Sequence, residues 1–382
     1  MRIERINCLV VTTAIVLTFN VKVSGQSHAV TPKKISAFMP GDIWPDNNGV
    51  HINAHGGGIL YNKGKYYWFG EHKIAGTAGN LAMVGVHCYS SVDLYNWKDE
   101  GIALKVSADS TSEIANGCIL ERPKVVFNKK TGKYVMWFHL ELKGQSYNAA
   151  RAGVAVSDKA TGPYRFIRSY RPNAGFMPYY PPGIADSDKV DCSNIKTNAG
   201  NFFCRDLSAG QMARDMTIFV DDDGKAYHIF SSEENKTLDI AELTNDYTGH
   251  TGKFARVYAG HSTEAPAIFK YHGIYYLIGS GTTGWAPNAA RWLSATNIYG
   301  PWTYHGNPCI GPQSDITFDG QSTYVLPVHG KTGEFIFMAD KWNPENAIDG
   351  RYIWLPVQFS KNGIEIKWLD KWSLNNYYQP KH

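Results

Sequence analysis

"ERPKVVFNKKTGKYVMWFHL", residues 121–140, holds an apolar strand, a Gly-containing turn and a second strand rich in aromatics. The turn "KKTGK" marks a hairpin, because glycine supplies the positive φ that a tight reversal needs. The same phrase recurs as "GGGILYNKGKYYWFGEH" from residue 56, "RDMTIFVDDDGKAYHIFSS" from 214, "EAPAIFKYHGIYYLIGSG" from 264 and "GQSTYVLPVHGKTGEFIFMADKW" from 320. Several copies are followed by a second hairpin phrase, as in "CYSSVDLYNWKDEG", "VAVSDKATGPYRFI" and "WLSATNIYGPWTYHG". Two hairpins make a four-stranded antiparallel sheet, and such sheets repeated at this interval are the blades of a β-propeller. Five copies predict an all-β fold of five blades.

Composition agrees with a β-rich chain. Among 382 residues there are 23 Tyr, 17 Phe and 11 Trp, and few stretches show a helical period. The formal net charge is +4, with both signs mixed throughout and no basic stripe, which argues against nucleic acid as a partner. Residues 1–25 read as a secretory signal peptide: "MRIER" is the positive start, "CLVVTTAIVL" the apolar core and "VKVSGQS" the cleavage stretch. The apolar core is short for a membrane span, so none is expected after cleavage. The expected mature chain, residues 26–382, is one near-neutral domain exported to the periplasm or secreted. Five cysteines remain in it, Cys88, Cys118, Cys192, Cys204 and Cys309. An odd count leaves at least one thiol unpaired in a monomer, and Cys192 with Cys204 is the best candidate disulfide.

Glu121 and Asp215 are 94 residues apart, whereas the other intervals between repeats run from 49 to 65. The excess falls in residues 171–210, rich in Pro, Gly, Asn and Asp. This long loop either walls a binding site or decorates the surface.

The innermost strand of each propeller blade lines a central channel, so the residues opening those strands face a shared axis. Across the repeats these are Gly56, Glu121, Asp215, Glu264 and Gln321. Carboxylates converging on one pocket repel one another and lose solvent, which raises at least one pKa. Two acids flanking one bond are the machinery of glycoside hydrolysis, and abundant Tyr and Trp suit sugar faces. The bland reading makes these acids solvated turn or cap residues; their shared register speaks against it.

In these motifs the chain resembles family 43 glycoside hydrolases, five-bladed propellers using three carboxylates from different blades. "INAHGGGIL", "ILERPKVVFN", "EAPAIFK", "TTGWAPN" and "GQSTYVLP" resemble its exo-β-1,3-galactanase branch, over residues from about 40 onward. The resemblance implies Glu264 as general acid, Asp215 as the carboxylate that tunes it, and Glu121 as a galactose-binding acid. It implies Tyr147, Thr282, Trp285 and, more weakly, Asn235 as sugar contacts. The expected activity is release of galactose from β-1,3-galactan, the backbone of plant-type arabinogalactan, by an inverting mechanism. Sibling specificities are α-L-arabinofuranosidase and β-D-galactofuranosidase, and a rival of another class is a non-catalytic carbohydrate-binding propeller.

Most of the wider family carries a general-base Asp at the mouth of the first blade. Here "HGGG", residues 55–58, fills that place: the scar of a missing base, or room made for substrate. The resemblance points to Gln321, which would position water through its carbonyl oxygen or act as an imidic-acid tautomer. Glu121 is the rival base, and His55 a lesser one. Phosphate-loop and lipase readings of the glycines fail for want of GK[ST], GxGxxG or G-x-S-x-G. No cofactor is required. Family 43 propellers can hold a metal ion in the channel, but no ligand set is assignable, and "DDD" at Asp221–Asp223 reads as a solvated turn.

Overall fold

The computed structural model describes residues 34–186, 189–193 and 201–377. The leader read at residues 1–25 lies outside them. Five sheets, antiparallel but for one added edge strand, follow one another along the chain. Their first strands, His55–Asn62, Cys118–Asn128, Met216–Val220, Glu264–Tyr271 and Gln321–Pro327, are the innermost. Each contacts the next in cyclic order, and the fifth contacts the first, so the sheets close a five-bladed ring.

Two blades depart from the four-stranded expectation. Blade two gains Leu81–Ala82, which leaves blade one's territory to pair with Cys118 and Ile119. In blade five, Arg351–Ser360 and Gly363–Lys367 supply the outer strands, and Cys309–Ile310 adds a fifth, parallel to the last. The ring is also tied by backbone bonds between Phe38 and Trp372, at 2.8 and 3.1 Å.

Strand alternation explains the core. Successive side chains leave opposite faces of a sheet, and each blade is covered on both faces. Hence Trp68 packs toward blade five with Trp354, while its neighbour Phe69 packs toward blade two with Leu120. Val135 and Trp137 meet Phe230 of blade three, while Met136 and Phe138 face blade one. The five apolar clusters are the five seams between blades.

At their mouths, four innermost strands carry a register shift. Such bulges twist a strand and re-aim its side chains. In three of them the residue after the mouth position has positive φ: Gly56 at 60°, Arg122 at 55° and Ala265 at 52°. By this register His55, not Gly56, is the counterpart of Glu121 and Glu264, since His55 pairs with Glu71 as Glu121 pairs with His139. The one-residue offset arises because a bulge breaks the period-2 count that sequence reading relies on.

At the three glycines, the space a side chain would take is filled by protein. A Cβ at Gly56 would strike the Glu71 carboxylate, and one at Gly58 the Lys124 stem. A Cβ at Gly57 would overlap the Phe69 carbonyl oxygen and lie 2.7 Å from Trp68 Nε1. Gly57→Ala should therefore cost about 1–3 kcal/mol by overpacking, seen as a lower urea midpoint. An unchanged midpoint would show that the first blade tolerates the shift.

Candidate active site

The inner strands open onto a cavity of about 330 Å³ on the propeller axis. Glu121, Asp215, Glu264, Gln321, Tyr147, Asn235 and Trp285 line it together, from four blades and the loops between them. Thr282 is exposed and does not line the cavity; it follows Gly281, whose N–H bonds the Asn288 side chain. The described part of the long loop is also absent from the lining. Its helix, Phe202–Asp206, instead packs Phe203 into the seam between blades two and three, and Cys192 and Cys204 form a disulfide.

Glu264 is largely desolvated and stands near Asp215, and these two effects push its pKa up to about 7. Asn235 Nδ2 donates to Glu264 Oε1 at 2.6 Å. Asp215 is fixed through Oδ2, which accepts the Ala265 backbone N–H at 3.1 Å and faces Arg122 Nη2 at 3.1 Å. The bulge that exposes Glu264 thus also presents the amide that orients its neighbour.

Glu121 is the opposite case. Burial, the largest single effect, would raise its pKa, but His139 Nδ1 at 2.8 Å, together with the Lys73 charge and the Tyr147 hydroxyl, outweighs it and holds it down at about 2. Asn80 Nδ2 and Tyr147 OH also donate to its Oε1, the latter at 2.8 Å. His139 bridges Glu121 and Glu141, and these partners overcome its burial to bring its pKa up to about 9. Two carboxylates in one cavity are thereby driven apart, one protonated near neutrality and one ionised.

Gln321 has a defined amide orientation. Ser280 gives its own hydroxyl proton to the Gly281 carbonyl, so its oxygen accepts from Gln321 Nε2 at 2.9 Å. The Gln321 oxygen then accepts from Arg122 Nη2. An oxygen that accepts from a guanidinium and a nitrogen that donates to Ser280 are the contacts an amide makes.

Sequence reading passed over Arg122, which is the hub of the site. Its guanidinium touches Asp215, Gln321 and the Ser322 carbonyl, the last at 2.8 Å, while its backbone N–H meets Glu71 at 3.0 Å. Glu71 in turn pairs with Lys73 at 2.5 Å, and Lys73 lies over the Trp342 ring, which stacks on Trp285. Asp340 was also missed, as was His139. Both are cross-strand partners of residues that were found, Gln321↔Asp340 and Glu121↔His139, so pairing each hairpin outward from its turn would have revealed them.

His55 is buried, and burial first, then Lys73, presses its pKa down to about 3. It stays neutral, with Asp340 Oδ2 3.7 Å away. Glu121, His139 and Asp215 could offer metal-ligand atoms within 4.8 Å of one another. They do not fit a cation as placed: both His139 nitrogens donate to carboxylates, and the Arg122 charge already faces Asp215.

A cavity that pairs a protonatable carboxylate with an ionised one, at the axis of a five-bladed propeller, defines a glycoside hydrolase. The sequence model of glycosyl hydrolases family 43 matches residues 190–363. A GH43 β-1,3-galactosidase solved with galactodeoxynojirimycin is 54% identical, covering 88% of this chain and 100% of its own, with a TM-score of 0.83. The exo-β-1,3-galactanase of Phanerochaete chrysosporium, solved with β-1,3-galactotriose, is 33% identical over 89% of this chain and 69% of its own, with a TM-score of 0.73. A xylosidase/arabinosidase of Bacteroides ovatus is 28% identical over 72% of this chain and 81% of its own length. The chain belongs to glycoside hydrolase family 43.

Proposed function

We propose that this enzyme is an exo-acting β-1,3-galactosidase that releases galactose from β-1,3-galactan, the backbone of plant-type arabinogalactan, with inversion. The observation that carries the reading is the likeness, over 88% of this chain, to a β-1,3-galactosidase at 54% identity. Glu264 is the general acid: at about 7 its pKa keeps a proton available for the departing glycosidic oxygen. Asp215 raises that pKa by its charge and turns the acid through shared contacts. Glu121, ionised, accepts hydrogen bonds from a sugar hydroxyl, with Tyr147 on its own oxygen and Asn235 on that of Glu264 as further sugar contacts. Trp285 is 60% exposed and stacked on Trp342, which suits a platform for a sugar face. Gln321 positions the attacking water through its carbonyl oxygen. Glu121 is no rival base, because a carboxylate held at about 2 has little affinity for water's proton. The reading places the enzyme outside the cytoplasm, which the Cys192–Cys204 disulfide supports. None of these steps requires a metal.

The test is release of free galactose from debranched β-1,3-galactan, with aryl arabinofuranoside and galactofuranoside run alongside. Galactose from the galactan is the expected product. Silence there with turnover of a furanoside would replace the substrate, and the Bacteroides ovatus relative is the reason to include that arm.

A further inference from the structure

The groups already described leave the proton of the attacking water without a destination. Glu121 is held ionised by three donors, His55 is buried and neutral, and the Gln321 oxygen faces a guanidinium. An inverting displacement needs an acceptor across the sugar from the acid.

Of the lining carboxylates without a catalytic part, Glu71 is paired with Lys73 and Asp319 with Lys341, which leaves Asp340. Asp340 sits on the second strand of blade five, Phe335–Lys341, directly opposite Gln321 in the hairpin. It lines the same cavity, and its side chain is 16% exposed, close to the 17% of Asp215. Its Oδ2 accepts the backbone N–H of Gly56 at 2.5 Å, which anchors the carboxylate at the seam between blades five and one. That seam lies beyond Gln321 from the Glu264 blade in the ring. The absence of a side chain at Gly56 leaves room for the Glu71 carboxylate beside this seam.

We propose that Asp340 is the general base, taking a proton from a water held against Gln321. The water oxygen bonds to the anomeric carbon as its proton passes to the Asp340 carboxylate. The bond from that carbon to the glycosidic oxygen breaks, its electron pair stays on the leaving oxygen, and Glu264 protonates that oxygen. Asp340 ends as the acid and Glu264 as the carboxylate, and exchange of one proton with solvent restores both. The assignment rests on the inverting glycosidase reading but not on which sugar is released.

The groups facing Asp340 set the pH at which it works. Burial pushes its pKa up to about 7, opposed by the Gly56 N–H and the Arg122 charge; Glu71 adds to the rise and Lys124 opposes it. His55 and Tyr352 complete its surroundings. Asp340 must be ionised and Glu264 protonated, so kcat/KM should be bell-shaped, with an acid limb and an alkaline limb both near pH 7. A mechanism in which Gln321 or Glu121 takes the proton has no acid limb there.

The experiment is the pH profile of the full-length enzyme on whichever glycoside it hydrolyses, followed by Asp340→Asn and Asp340→Ala. Asn keeps an oxygen for the Gly56 N–H and should keep the fold, so thermal melting should hold while kcat falls on the order of 10²–10⁴-fold. The loss should persist on aryl glycosides with good leaving groups, and azide should restore turnover in Asp340→Ala, giving a glycosyl azide of inverted configuration. A wild-type profile flat between pH 5 and 7, or folded Asp340→Asn within threefold of wild type, would overturn the assignment. If neither variant folds, the wild-type acid limb alone decides. A different released sugar would sink the galactan reading and leave this one standing.

Discussion

Glu264→Gln should abolish turnover of unactivated galactan while leaving substrate binding largely intact. The amide keeps the shape and can still meet Asn235, which lies 2.6 Å from Glu264 Oε1. What it lacks is the proton. General acid catalysis is worth roughly 10²–10⁴-fold, and an unactivated sugar alkoxide is a poor leaving group that needs all of it. An aryl glycoside, whose phenolate leaves unaided, should lose much less. Two measurements separate the cases: kcat on galactan against kcat on the aryl substrate, and the alkaline limb of the pH profile. Glu264 is raised to about 7 by desolvation and by Asp215, so wild-type activity should fall as the pH rises through that value. The variant should show no such limb. Near-wild-type rates on galactan would remove Glu264 from the acid role.

Arg122→Met should be as damaging, but in stability as well as rate. The guanidinium is only 11% exposed and compensates Asp215 at 3.1 Å. It also lies within electrostatic reach of Glu71, Asp340 and Glu121. Removing one partner from a buried ion pair costs about 3–5 kcal/mol, because the other charge remains buried and uncompensated. Methionine fills similar volume, so the loss reports charge and hydrogen bonding more than a cavity. Gln321 would lose the donor that fixes its oxygen, and Glu264 would lose a charge that restrains its pKa. Arg122→Lys is the informative companion. It restores a positive charge without the planar fork that reaches Asp215, Gln321 and Ser322 together. It should therefore recover much of the urea midpoint while leaving kcat/KM at least tenfold low. Equal midpoints for wild type and Arg122→Met would mean that the hub has no structural role.

Much of this architecture is legible in local sequence. The hairpins at 56, 121, 214, 264 and 320 announce themselves because turn chemistry and strand alternation are properties of adjacent residues. The acids at 121, 215 and 264, with Gln321, follow from reading one position across repeats. Three features defeated the same procedure. The bulge at His55–Gly58 shifted the first blade by one residue, so the mouth position is His55. Thr282 lies exposed in a loop closed by the Asn288 side chain on the Gly281 backbone. Arg122, beside Glu121 in sequence, was passed over because alternation assigns adjacent strand residues to opposite faces; its positive φ brings it back to the cavity.

Sequence by itself determined the blade count, the strand phrases and which residues open the innermost strands of blades two to five, since each is written within one repeat. It could not determine which carboxylate holds a proton. Glu264 and Glu121 occupy equivalent places on equivalent strands, yet one is raised to about 7 and the other held at about 2. The difference lies in what other segments bring: His139 from the paired strand to Glu121, and Asp215 from a neighbouring blade to Glu264. Electrostatic free energy depends on distance through a poorly solvated interior, not on separation along the chain, so only closure of the ring decides it.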